Sequence, residues 1–430
     1  MRYMLWHSMV AGGILIGGSV RLAAQASADA DTLLSRLTRE ARASSPAALR
    51  SDALARAAAA RVRPAGALPD PMVNLGVMDL TLPRFGFRQS DFTEVDVEVS
   101  QAFPWPGTLG AQTRAARAMA LGAMAQSAVF RRDLAVRVAI PYYRLRYVVT
   151  AKQTLEKQRN LLRSAVEIST ARYGTGSVPQ SDPLQARIAV ARLGSEEAAL
   201  SAEEAGLRAD LRAIRGVRVP EYLVIEPINA DTVAIVLADA DAEHAAHLAQ
   251  AEPLDAHPRL EVGRAEIAVA DGTARAEALS ARPDFELSTR YGARPLGSDF
   301  FSAFVGIRIP LWAGRKQHLV AQAARIDVEA AQRGLDDEQA ALAAELERTL
   351  ADARAGATRL HLLVESVLPI AREGVEAALR GYRTGQTDFP SVLMAEDARY
   401  RAELEATEVA AEHLTHLVML EQLLEPENTP

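Results

Sequence analysis

The stretch Thr93-Glu94-Val95-Asp96-Val97-Glu98-Val99-Ser100-Gln101-Ala102-Phe103 decides how the rest of this chain is read. In an extended chain successive side chains point to opposite sides. Thr93, Val95, Val97 and Val99 therefore share one face, and Glu94, Asp96, Glu98 and Ser100 the other. The same alternation recurs in Asp284–Tyr291, where Phe285, Leu287, Thr289 and Tyr291 oppose Asp284, Glu286, Ser288 and Arg290. It recurs again in Phe301–Ile309, where Phe301, Ala303, Val305, Ile307 and Ile309 oppose Ser302, Phe304, Gly306 and Arg308. Met72–Leu82 is weaker: Val73, Leu75 and Val77 share a face, and Asp79 breaks it late. Four strands with one apolar and one wet face are predicted. Soluble hairpins packed on helices would show this pattern, and so would membrane strands of about 9–11 residues with lipid outside and water inside. Charge at mid-strand (Asp96, Arg290, Arg308) favours the membrane reading.

Outward from these segments the chain is helical and repeats itself once. Pro46-Ala47-Ala48-Leu49 is echoed by Pro258-Arg259-Leu260, and Pro69-Asp70 by Pro283-Asp284. Trp105-Pro106-Gly107 returns as Trp312-Ala313-Gly314, and Tyr173-Gly174-Thr175-Gly176 as Tyr382-Arg383-Thr384-Gly385. Four anchors in one order mark a duplication. Repeat 1 covers 27–240: a helix over Thr32–Arg63, strands at 72–82 and 93–103, a long helix at 108–173 and a return helix at 178–215. An equatorial segment follows at 217–252, with β-rich patches at Tyr222–Ile225 and Val233–Val236. Repeat 2 covers 241–430: a helix at 257–281, strands at 284–292 and 300–310, a long helix at 313–383 and a return helix at 388–424. At about 1.5 Å per residue each long stretch reaches about 100 Å. Pro141 and Pro369 are expected to bend those helices, because each removes a backbone hydrogen bond.

Composition narrows the function classes. The chain has 430 residues and no cysteine, which excludes disulfides, thiolate metal sites, a thiol nucleophile and a lipidated N-terminal Cys. A net charge of -7 argues against nucleic acid. Residues 1–26 read as a signal peptide, with Arg2, an apolar run from Val10 to Val20 and the small-x-small site Ala24-Gln25-Ala26. Beyond it no window offers the roughly 18 apolar residues of a spanning helix, so any crossing of a bilayer falls to the strands. Four strands cannot close a barrel, since the smallest single-chain outer-membrane barrels use eight. An open edge in hydrocarbon would leave backbone groups unsatisfied. Several copies must then share one barrel, and three would bring twelve strands.

Motifs of bond chemistry are missing: no HExxH, GxSxG, Walker loop or GxGxxG after a strand is present. His244/His247 and His413/His416 have the i, i+3 spacing that puts two rings on one helical face, yet no third ligand stands nearby in sequence. No catalytic residue, cofactor or metal site is expected, and the chain is not read as an enzyme.

The run Ser100-Gln101-Ala102-Phe103-Pro104-Trp105-Pro106-Gly107 leads from strand into long helix, as does Ile309-Pro310-Leu311-Trp312-Ala313-Gly314. With the Tyr-x-x-Gly turns, Pro258-x-Leu260 and Arg282-Pro283-Asp284, they resemble the TolC-like outer-membrane efflux protein family. The likeness is nearest to its heavy-metal branch, the ducts of resistance-nodulation-division (RND) cation pumps. That resemblance implies a mainly α fold with a small β part, in which four strands per chain join a trimeric 12-stranded transmembrane β-barrel continued by a long α-helical barrel in the periplasm. It implies an outer-membrane exit duct passing substrate, with divalent metal cations favoured, from an inner-membrane RND pump through a periplasmic adaptor.

Tyr173 and Tyr382 would lie at the periplasmic tip, where the family opens and meets its adaptor. Gly176, Asp182 and Ala186 fit the family's first-copy pattern, and the second copy offers Gly385, Ser391 and Ala395. The founding member carries gate carboxylates at positions matching Ser391 and Met394; neither is acidic here, and Asp388 is the candidate substitute. Glu94, Asp96, Glu98, Glu286, Arg290 and Arg308 would line the pore. The competing expectation is a periplasmic coiled-coil adaptor or scaffold without a channel, which explains the helices but not the charged strand faces.

Overall fold

A computed structural model of the protein describes residues 32–80, 86–88, 90–219, 223–228, 233 and 254–424. The signal segment 1–26, the pair His244/His247 and residues 234–236 of the second β-rich patch lie outside the described residues. In chain order the elements are α1 (Thr32–Ser44), α2 (Pro46–Ala65), β1 (Met72–Met78), β2 (Glu94–Phe103), α3 (Thr108–Gly174) and α4 (Ser181–Arg215). The second copy follows with α5 (Pro258–Leu279), β3 (Asp284–Ala293), β4 (Phe300–Arg308) and α6 (Gln317–Leu362). A π-helical turn (Leu363–Val367), α7 (Leu368–Thr384) and α8 (Phe389–Leu424) complete it. None of the described helices is long and apolar enough to cross a membrane.

Local chemistry explains where these elements depart from the sequence expectation. The first helix is two helices, because Pro46 has no N–H to continue α1. Ser44 Oγ instead donates to Glu40 O (2.7 Å) and Arg215 O (2.8 Å), tying the break to the end of α4. β1 ends at Met78 rather than at residue 82. Asp79 takes φ +55°, left-handed backbone that does not extend a strand, and its carbonyl accepts from Thr93 Oγ1 at 2.9 Å. Helix α3 runs without interruption through Pro141, whereas in the second copy the π turn ends at Val367, two residues before Pro369. Within the equatorial segment, residues 223–228 form no strand. Leu223, Ile225 and Ile228 are buried while Val224 is exposed. Side chains replace the missing neighbour strand: Arg208 Nη1 donates to Leu223 O (2.9 Å), Arg146 Nε to Glu226 O (3.1 Å), and Ile228 N to Thr150 Oγ1 (2.8 Å). The alternation there reflects half-burial, which needs no sheet.

The chain forms two compact units. In the first, the described residues fall within 32–49, 131–233 and 344–424, and Leu37, Val138, Leu145, Val148, Leu155, Leu211 and Leu360 lie in its buried core. Alongside that core α3 and α4 are cross-linked by charge. Arg144 Nε meets Glu203 Oε1 at 2.6 Å, Lys152 Nζ meets Glu204 Oε2 at 2.9 Å, and Arg159 pairs with Glu197. From α8, the Tyr400 hydroxyl donates to Glu196 at 2.9 Å; burial, then that carboxylate, push its pKa upward.

In the second unit the described residues fall within 50–130 and 254–343, and it includes the four-stranded sheet. Its helices touch through small residues. A Cβ on Gly272 of α5 would lie 2.8 Å from Ala115 N of α3, and one on Gly263 would lie 2.9 Å from Leu335 Cδ1 of α6. The sheet has the order β1-β2-β3-β4, antiparallel throughout. Its middle pairing, β2 with β3, joins the two copies of the repeat, and β1 and β4 are its two edges.

Candidate functional site

The predicted site residues fall into two groups, one on the sheet and one at the helical turns of the other unit. On the sheet the register settles which residues share a face, because directly paired residues of antiparallel strands point the same way. Gly76, Asp96, Gly292 and Phe300 form one cross-strand row. Asn74, Glu98, Arg290 and Ser302 form the next, and Glu286 stands opposite Gly306 and Asp284 opposite Arg308 on the same face. The reverse face carries Val73, Leu75, Val77, Val95, Val97, Val99, Leu287, Tyr291, Phe301, Val305 and Ile307.

Burial of these faces is inverted relative to a soluble protein. The apolar side chains stand outward, with Leu75 79%, Val305 75% and Phe301 70% exposed, while Glu94 and Asp96 are buried. Hairpins resting on a water-soluble core would do the opposite. The charged face is held by ion pairs. Arg290 sits between two β2 carboxylates, its Nε 3.5 Å from Asp96 Oδ2 and its Nη2 3.3 Å from Glu98 Oε2. Arg294 Nη2 lies 3.3 Å from Glu94 Oε2, and its guanidinium covers the Phe300 ring at 4.7 Å. Glycine makes the room, since a Cβ on Gly76 would come within 2.5 Å of Asp96 Oδ1. At the foot of the sheet Trp105 stacks on Phe285 (5.9 Å), and Trp105 N donates to Asp284 Oδ1 (3.0 Å). Leu311 and Trp312, just past β4, are exposed.

The helical turns are built alike in both copies. Gly176 N donates to Tyr173 O and Ser177 N to Arg172 O; Gly385 N donates to Tyr382 O and Gln386 N to Gly381 O. This paired bonding closes a helix C-terminus through a left-handed residue, and both glycines supply it, with φ +70° and +72°. Tyr382 packs on Phe389 at 5.7 Å and lies under the Arg172 guanidinium at 4.7 Å, so the two turns touch. Asp182 is buried in the first turn of α4. Asp388 caps α8: its Oδ1 accepts from Ser391 N at 3.1 Å and from the Ser391 hydroxyl. Those donors hold the Asp388 carboxyl below the usual carboxylate range. Met394 is exposed, and Tyr173 is half exposed.

These arrangements belong to a known architecture. The solved structure of CusC superposes with a TM-score of 0.77 at 15% identity, covering 92% of each chain. CusC undergoes conformational changes that accompany folding and transmembrane channel formation. The CmeC outer membrane channel of Campylobacter jejuni gives 0.74 at 11% identity, over 100% of this chain and 92% of that one. The open-state MtrE outer membrane channel of Neisseria gonorrhoeae gives 0.71 at 15% identity, over 91% and 88%. Residues 250–425 match the outer membrane efflux protein family. The fold is that of the efflux channels. At such identities the likeness is one of fold; among curated proteins none matches the sequence. The expected family resemblance and fold class are both borne out.

Several residues of this efflux-channel fold escaped the sequence reading. Arg294 follows β3 and keeps its period of two, four residues after Arg290, a signal that was available. Gly76, Gly292 and Arg172 carried none, since their importance lies in partners on other elements. His413 is fully buried against Gly356. Among the described residues no group of three or more His, Asp or Glu is placed to hold a metal ion.

Proposed function

We propose that this chain is the outer-membrane exit duct of a tripartite efflux system and performs no bond chemistry. The observation that carries the reading is the inverted sheet: an exposed Val-, Leu- and Phe-rich face, a charged and ion-paired face, and two unpaired edges. An aqueous environment would leave that apolar face exposed at a cost of about 25 cal/mol per Å², whereas lipid accepts it. Unpaired edges in lipid are resolved by further copies, with β4 of one chain meeting β1 of the next. Three copies close twelve strands, and the charged face, with Glu94, Asp96, Glu98, Glu286, Arg290 and Arg308, then lines water.

The helical turns are the periplasmic tip in this reading. Tyr173, Gly176 and Asp182 of the first copy, and Tyr382, Gly385, Asp388, Ser391 and Met394 of the second, form the gate and the surface for a periplasmic adaptor linked to an inner-membrane RND pump. Their mechanism is steric: substrate passes when the turns part, and the strands impose no chemical step. Divalent metal cations are the proposed cargo, supported by the resemblance of the strand-to-helix motifs to the heavy-metal branch.

Detergent-extracted protein is expected to run as a trimer and to conduct ions in planar bilayers. A monodisperse, water-soluble monomer would overturn the reading. A deletion strain should become sensitive to zinc, cobalt, cadmium, nickel or copper salts; unchanged sensitivity to all five would remove the metal assignment and leave the duct standing.

A further inference from the structure

The charged face of the sheet holds its charges in a definite order of depth. Glu94, Asp96 and Glu98 project from β2, and the guanidiniums of Arg290 and Arg294 reach back over them from β3 and the turn beyond. Two of the carboxylates lie beneath: the side chains of Asp96 and Glu94 are 6% and 8% exposed, against 29% for Arg290 and 35% for Arg294, while Glu98, at 24%, stands level with Arg290. Asp96 can sink because its β1 neighbour is Gly76 and its β3 neighbour is Gly292. A side chain on Gly76 would collide with Asp96 Oδ1, and one on Gly292 with the Phe300 ring. Phe300 in turn supports the Arg294 guanidinium from below. The glycine rows, the ring and the register therefore all serve one arrangement, in which the two arginines lie above Glu94 and Asp96.

We propose that Arg290 and Arg294 set the charge selectivity of the strand wall, cancelling the preference for cations that the three β2 carboxylates would otherwise impose. This rests on the duct reading, in which that face meets water. Within this cluster three β2 carboxylates stand against two guanidiniums, leaving one uncompensated negative charge; without the arginines there would be three, and further along the face Asp284 and Glu286 stand with Arg308. Unit charges a few ångströms apart across water interact appreciably even at high dielectric, and salt screens them only beyond about 8–10 Å. This stretch of the wall thus discriminates little by sign, and it does not select the cargo.

The absence of cysteine allows a direct test in the full-length protein in outer-membrane vesicles. Ser302, paired directly with Arg290, is replaced as Ser302→Cys, and its reaction rates with small cationic and anionic methanethiosulfonate reagents are compared. Adding Arg290→Gln with Arg294→Gln should raise the cation-to-anion rate ratio about three- to tenfold. Adding Arg290→Lys with Arg294→Lys, which keeps the charge, should leave it within about twofold. Each single Gln variant should give part of the full change, so misfolding of the double variant does not spare the proposal. An unchanged ratio in the Gln variants, with Ser302→Cys reactive, overturns the selectivity role and leaves the duct intact. Reactivity of the outer-face Ala303→Cys, with Ser302→Cys protected, would sink the duct reading itself.

Discussion

At Asp388 one side chain shows how local chemistry replaces an expected role. A free carboxylate near the proposed gate would attract cations, but this one is already engaged by two donors of Ser391 at the start of α8. An acceptor at this position satisfies one of the orphan N–H groups of the helix. Asp388→Ala should therefore accelerate hydrogen exchange at the first amides of α8, while Asp388→Asn, which keeps an acceptor, should largely preserve protection. Because the folded carboxyl titrates below its unfolded value, the contribution of the cap is complete above the ordinary carboxylate range. It fades as pH falls through the lowered value. Protection of α8 should accordingly decline in acid in the wild type and lose that dependence in Asp388→Ala.

Among the elements, the two copies of the repeat have diverged in a way the anchors record. The Trp anchors are 207 residues apart and the Tyr anchors 209, so the second copy carries two more residues between them. The first copy spans this stretch with uninterrupted α3, and the second with α6, a π turn and α7. A π turn closes its hydrogen bond over one more residue than an α turn, so it absorbs part of the insertion without changing the face that follows. Close helix contacts depend on individual glycines. Gly272→Ala should lower stability by about 1–3 kcal/mol, measured by thermal unfolding in detergent, because the new methyl meets backbone atoms of α3. Gly263→Ala should cost less, since Leu335 Cδ1 can rotate away. Tyr400→Phe removes the hydrogen bond to Glu196 inside the helical unit and should cost about 1 kcal/mol.

For the molecule as a whole, the direction in which the sheet faces decides its environment. Val305→Lys puts a charge on the apolar face and should cost about 2–4 kcal/mol per chain if that face meets lipid near the bilayer centre. Loss of the trimer on size-exclusion chromatography in detergent would report it. Ser302→Lys, on the charged face of the same strand, should leave the trimer intact. The contrast between the two positions tests face assignment independently of any gating behaviour.

Alternation of Val with Glu and Asp, the duplicated anchors and the long helical runs were all legible in the chain, because period, punctuation and repetition are local properties. They yielded the strands and the helices. Tertiary packing settled the remainder. It joined β2 to β3 across the repeats, buried Asp96 between two glycines, engaged Asp388 as a cap and turned a β-like run at residues 223–228 into a segment held by arginines. Those outcomes depend on groups distant in sequence meeting in space, and no pattern along a single segment encodes its partner's register or depth.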